Sequence, residues 1–315
     1  MHPAYSVIFF TVSSGAGYGL LALLGVLGVT GSLPSGFCFG VIAFGLSLGA
    51  ITLGLLSSTY HLGRPERSWR AFSQWQSSWL SREGIAAVAT FVPATLLAAG
   101  AIDLIDLGST ANILNVAAAA LALATIYCTA MIYRSLKTIH QWHNRWTVPN
   151  YLILGVVAGA VWMNFLLLAF QSANRSFSIF TALILTLALV TKMRYWKFID
   201  ETAHQSSPET ATGLGHLGKV RLFEGPHTEE NYLMREMGFR VARAHALKLR
   251  HYARTLGFVW PIILILAAVY AHGTVGAALA LVAAVTTSVG MVIERWLFFA
   301  EAKHVVTLFY GRHVA

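Results

Sequence analysis

The run FCFGVIAFGLSLGAITLGLLSSTYHLGRPE, residues 37–66, closes a 63-residue stretch with no Lys, Arg, Asp or Glu and carries the chain's first charge, Arg64. A bilayer span takes about 20 predominantly apolar residues. Residues 1–63 therefore hold two spans, and GSLPSG at 31–36 supplies the turn between them. The apolar residues run on without period-2 alternation. That pattern favours helices, whose backbone groups are satisfied internally as lipid requires, over a barrel. Working outward, the further charge-free runs are 84–102, 107–133, 146–174, 176–191 and 255–293, the last dividing at HGTVG, residues 272–276. Helices are expected near 5–30, 37–60, 84–103, 111–133, 148–171, 177–196, 254–272 and 275–298. The fold class is all-α: a polytopic bundle of eight transmembrane helices, one domain over 1–315 with a polar insertion at about 197–250. MHPAY offers no basic n-region, so a cleaved signal peptide is not expected.

Composition agrees. Apolar types make up 56% of the 315 residues and charged types 11%, against roughly 25% charged in soluble domains. With eight helices, 21 of the 22 Lys and Arg residues fall on or near the face that carries both termini, Arg175 being the exception. The positive-inside rule makes that face cytoplasmic. The net charge of +9 then reflects topology and anionic headgroups, and nucleic acid is not implied. Cys38 and Cys128 lie inside predicted helices with no metal-ligand spacing, so packing roles and no iron–sulfur cluster are expected in this chain. Asn164, the most central strongly polar side chain, reads as an interhelical hydrogen bond. The insertion is nearly charge-balanced, with eight Lys/Arg and seven Asp/Glu. From Glu229 it suggests an amphipathic helix leading into the seventh span, either a docking surface or a helix lying at the headgroups.

The connector after the second helix concentrates chemistry. His61 closes helix two and Glu83 opens helix three, so both sit at the same depth near the basic face. Gly63 and Pro65 stop the helix between them. Trp69, Trp75 and Trp79 suit an interfacial belt, Arg67 and Arg70 suit headgroups or a partner, and Glu83 also fits an acid at a helix N-terminus. A titratable imidazole beside Arg64, with a carboxylate able to approach, has the parts to move a proton between a buried hydroxyl and water. A quinol headgroup is such a substrate. The catalytic candidates are His61 and Glu83; the quinone-binding candidates are His61, Arg64, Trp79, Arg82 and Glu83; no metal site is expected.

HLGRPERSWRAFSQWQSSWLSREG at 61–84, with TVPNYLILG at 147–155 and ERWLFFAEAKHV at 294–305, resembles the membrane anchor subunits of the DMSO reductase family of bacterial molybdopterin enzymes. The insertion EGPHTEENYLMREMGFRVARAHALKLR at 224–250 looks more like the anchors of cytoplasmic sulfite dehydrogenases. The resemblance implies a complex of three subunits in the bacterial inner membrane. A catalytic partner would carry a molybdenum–bis(pterin) cofactor, an iron–sulfur partner would carry [4Fe–4S] clusters, and this anchor would exchange electrons with ubiquinone or menaquinone. It also implies quinol binding at the histidine and glutamate that fall on His61 and Glu83. The direction leans to sulfite oxidation; a reductase fed by menaquinol in anaerobic respiration is the alternative. The iron–sulfur partner is expected against the 62–82 and 134–147 connectors on the basic face. An anchor holding b-type haem from helix ends or connectors is a rival reading, since the twelve histidines avoid the span centres. A transporter is a weaker one, because the expected spans carry almost no charge.

Overall fold

The computed structural model describes residues 5–59, 64–172, 175–202, 206–224, 245–271 and 273–310. Eight helices there are long and apolar enough to cross a membrane. They are α1 (Tyr5–Val29), α2 (Phe37–Thr59), α3 (Trp79–Ala101), α4 (Ala111–Arg134), α5 (Thr147–Ala169), α6 (Arg175–Glu201), α7 (Ala246–Tyr270) and α8 (Gly273–Ala300). Among the described residues there is no strand, only an isolated bridge between Ile139 and His304. The expected all-α bundle of eight is the fold. The stretch from Glu229 to Ala244, where the amphipathic helix is expected to open, lies outside the described residues, as does His61.

Boundaries move where polar groups carry the helix past the apolar run. α3 starts at Trp79 instead of 84 because Ser78 caps it, its hydroxyl accepting from the Ser81 amide at 3.4 Å. Arg82 and Glu83 therefore lie inside the helix. α7 starts at Ala246 and contains a π-turn over Thr255–Val259, just before Pro261. Proline lacks the N–H for the carbonyl four residues back and its ring crowds it, and the widened turn accommodates both.

Small residues set the packing. Lipid gives no hydrophobic drive between helices, so close approach and van der Waals contact hold them. A Cβ at Gly19 of α1 would enter the backbone of Gly155 on α5, and one at Gly159 would enter that of Gly19. GVVAG at 155–159 is thus a small-xxx-small seam on which α1 lies. α1 touches α2, α4, α5 and α8, and Tyr18 to Leu24 are buried in the middle. Outward-facing side chains such as Leu53, Val92, Val116 and Leu187 stay exposed, as a lipid-facing surface requires.

The end of the bundle bearing the 4–5 connector is fastened by polar contacts. Trp142 Nε1 donates to the Phe298 carbonyl at 2.9 Å, the Tyr195 hydroxyl to the Gln141 carbonyl at 3.0 Å, and the Val305 amide to the Thr138 carbonyl at 3.1 Å. Arg250, at the start of α7, bridges Asp200 of α6 at 2.6 Å and Glu301 beyond α8 at 2.7 Å. Connector, helix ends and the chain after α8 form one platform.

Candidate functional site

Glu83 belongs to a helical stripe. Glu83, Ala87, Thr90, Ala94 and Leu97 are all buried on α3, at the i, i+4, i+7, i+11, i+14 spacing of one helix face. The carboxylate is thereby carried into the bundle, 4% exposed, one turn below the connector. Thr129 of α4 donates a hydrogen bond to it. Among the described residues no Lys or Arg lies within ion-pair distance of it.

Its sequence neighbour points elsewhere. Arg82 donates from Nε to the Trp75 carbonyl at 2.8 Å and from a terminal nitrogen to the Gln76 carbonyl at 2.6 Å, and lies 4.3 Å over the Trp79 ring. Trp79 in turn meets Tyr127 edge-on at 5.8 Å. Ser81 donates to the Ala71 carbonyl. These contacts fold the 3₁₀ segment Pro65–Gln74 onto the start of α3. Arg64 is exposed. Of the predicted set, Glu83 is inside the bundle, Arg82 and Trp79 hold the connector outside it, and His61 lies outside the described residues.

Beyond Thr129 a cavity opens between α1, α4, α5 and α8. Its polar wall is Tyr18, Thr129, Tyr151 and Arg295, and its apolar wall includes Ile126, Ala158 and Met291. The open space is about 30 Å³, room for about two waters. The Tyr18 hydroxyl, on a side chain 2% exposed, has no hydrogen-bond partner among the described residues. Arg295 is 5% exposed, its guanidinium 3.9 Å over the Tyr151 ring and 5.3 Å from that of Phe298. Its Nε pairs with Glu294 only at 3.7 Å, too long for a hydrogen bond. On the far side Lys192 of α6 meets Glu294 at 2.5 Å, with the two side chains 1% and 2% exposed. The arrangement sets Thr129, with the Glu83 carboxylate hydrogen-bonded behind it, on one flank of a cavity and a partly satisfied guanidinium on the other. A molecule between them could exchange a proton with the first and place developing negative charge near the second.

Sequence reasoning missed Tyr18, Thr129, Tyr151, Lys192, Glu294 and Arg295. Glu294 and Arg295 lie within two turns of the end of α8 and Lys192 about two and a half turns from the end of α6, where charge is ordinary. A signal existed: Glu294 and Arg295 sit in an aromatic run, WLFF following them, and Lys192 shares a helix face with Tyr195 and Trp196, whose rings flank its ammonium at 4.1 and 5.0 Å. The spans with almost no charge thus hold a buried cluster of three. Asn164 behaves as expected, accepting from Ser178 of α6 at 2.8 Å. The connector histidines are engaged locally. His143 Nδ1 lies 2.5 Å from the Arg134 carbonyl, His304 Nδ1 accepts from the Val306 amide at 3.0 Å, and His140 stacks on Phe198 with ring centres 5.5 Å apart. Partial burial holds His140 and His304 below the usual imidazole range, His143 adding to the effect at His140.

Comparison with known proteins converges on one group. The family model described as the DMSO reductase anchor subunit (DmsC) matches residues 1–312. The chain is also similar to a subunit of the sulfite dehydrogenase of Allochromatium vinosum, with 35% identity covering 98% of this chain and 99% of that protein.

Proposed function

Because the chain belongs to the DMSO reductase anchor subunit family and is the multi-pass membrane anchor of an oxidoreductase complex, we propose that it is also the subunit that exchanges electrons with quinone. Its partners on this reading are an iron–sulfur subunit and a molybdopterin catalytic subunit, seated on the basic face against the 62–82 and 134–147 connectors. The molybdenum cofactor and [4Fe–4S] clusters belong to those partners, and this chain supplies the quinone site. The whole chain acts as one anchor domain in the bacterial inner membrane, with both termini and the 197–250 insertion in the cytoplasm. The basic excess on the connector face supports that orientation.

The observation that carries the reading is Glu83: a carboxylate inside the bundle, beside the connector, hydrogen-bonded by Thr129, which itself walls a cavity with two tyrosines and an arginine. Reducing a quinone to a quinol adds two electrons and two protons. The electrons come from the partner docked on the connectors. Glu83 delivers one proton to the ring oxygen on its side and Thr129 fixes the direction of its carboxyl group. His61 delivers the second, and each group is reprotonated from the cytoplasmic water at the connector. Quinol oxidation is the same sequence reversed. Arg295 stabilises the oxygen that carries negative charge before its proton arrives. Arg82 and Trp79 are positioning residues that hold the connector over the site.

The name of the Allochromatium relative and the likeness of the insertion favour sulfite oxidation as the partner reaction. Purification from native membranes is expected to give this chain in a stable complex holding molybdenum and iron, with sulfite-dependent quinone reduction. Recovery of the chain alone, with solute flux across liposomes, would contradict the anchor reading.

A further inference from the structure

A second feature adjoins the cavity across α1. An apolar groove of about 340 Å³ runs between α1, α2, α5 and α8, and its walls include Phe9, Leu20, Leu46, Ala50, Val289 and Val292. That size falls within the roughly 300–1,000 Å³ usual for small-molecule sites. Val12 and Ala16 of α1 line both groove and cavity. Phe9, Val289 and Val292 are 49%, 47% and 44% exposed, so the groove opens to lipid. On α8 the groove residues Ser288 and Val292 and the cavity residue Arg295 follow at i, i+4 and i+7, one helix face about 10 Å long. The face leads from open lipid to a buried guanidinium.

The polar chemistry lies at one end. Within the groove the hydroxyls are already used: Ser13 donates to the Ala50 carbonyl at 2.8 Å, and Ser288 donates to the Ala284 carbonyl at 2.8 Å while accepting from Trp162 Nε1 at 3.2 Å. It has only hydrocarbon to offer. At the cavity end the Tyr18 hydroxyl and the Arg295 Nε, both almost wholly buried, remain without a hydrogen-bond partner. An occupant that matches both ends is a long hydrocarbon chain ending in a head that accepts hydrogen bonds. A phospholipid fits poorly, because its charged headgroup would have to enter the bundle instead of staying at the interface.

We infer that the groove between α1, α2, α5 and α8 seats the polyprenyl tail of the quinone and is its lateral path from the bilayer to the Tyr18–Arg295 cavity. The inference rests on the quinone reading above and adds the residues that read the tail. In this structure the head end is tight. With about 30 Å³ open, seating a ring requires side chains of the cavity wall to move.

The test uses the whole complex in membranes with two separate wall-filling variants, Val289→Trp on α8 and Ala50→Phe on α2. Turnover is measured with one benzoquinone ring bearing either no tail or a long polyprenyl tail, and with an artificial redox dye. Both variants are expected to raise KM for the tailed quinone at least tenfold while the tail-less quinone and the dye keep wild-type kinetics. Equal kinetics with both quinones in both variants would overturn the groove assignment. So would loss of a co-purifying phospholipid with no change in KM for the tailed quinone. If the unaltered complex reduced neither quinone while the dye worked, the quinone reading itself would fail.

Discussion

Glu83 and Glu294 are both buried carboxylates, 4% and 2% exposed, near the same end of the bundle. The first is met by a hydroxyl, from Thr129. The second is met by two cations, Lys192 at 2.5 Å and Arg295 at 3.7 Å. An ion pair deep in a low-dielectric bundle is costly to break, because the remaining charge is stranded. A carboxyl group that faces a hydroxyl keeps a hydrogen-bond partner in either protonation state. The difference separates two jobs on the reading proposed above: α6 and α8 are joined by fixed charge, whereas α3 and α4 hold the group assigned to proton exchange.

That division can be broken experimentally. Glu294→Ala leaves Lys192 and Arg295 without their counter-charge, and removing one member of a buried pair costs about 3–5 kcal/mol. The expected result is loss of assembled complex and a lower melting temperature, with Lys192→Met in the same chain recovering part of it. A Glu294→Ala complex assembled at wild-type yield but slow with quinone would put Glu294 in the same role as Glu83. A smaller effect sharpens the contrast between neighbours on α3. Arg82→Ala removes two hydrogen bonds to connector carbonyls, so proteolysis of the 64–78 segment should quicken while quinone turnover changes only a few-fold. A loss as deep as that from a Glu83 substitution would place the guanidinium on the quinone.

Much of the fold was legible because lipid is a demanding solvent. Charge-free runs located every span to within a few residues at most ends, and the misses fell where a cap or polar pairing extended a helix: Ser78 before α3, and Arg250 with Asp200 and Glu301 around α6 and α7. Glu83 was legible because the sequence brings it to a helix start opposite His61. The wall opposite it was not. Nothing in the sequence sets Tyr18 and Tyr151 apart from other aromatics in apolar runs, or Thr129 from other threonines in the spans. Only the arrangement of four helices around one cavity gives them a shared surface. Arg295 and Lys192 looked like boundary charges because depth along a helix does not reveal which way it is rotated.

The central claim is that Glu83 moves a proton for quinone and does not merely begin a helix. Glu83→Gln keeps the shape and can still accept from Thr129, but it has no exchangeable carboxyl proton. On purified complex of matched composition, quinone-coupled turnover should fall by about 10²–10⁴-fold, the usual cost of deleting a general acid or base, while activity with an artificial electron acceptor and the melting temperature stay at wild-type values. His61→Ala, measured in parallel, should follow the same pattern and weaken binding of quinone-site inhibitors. Quinone turnover that fell only in proportion to the amount of intact complex would contradict the account.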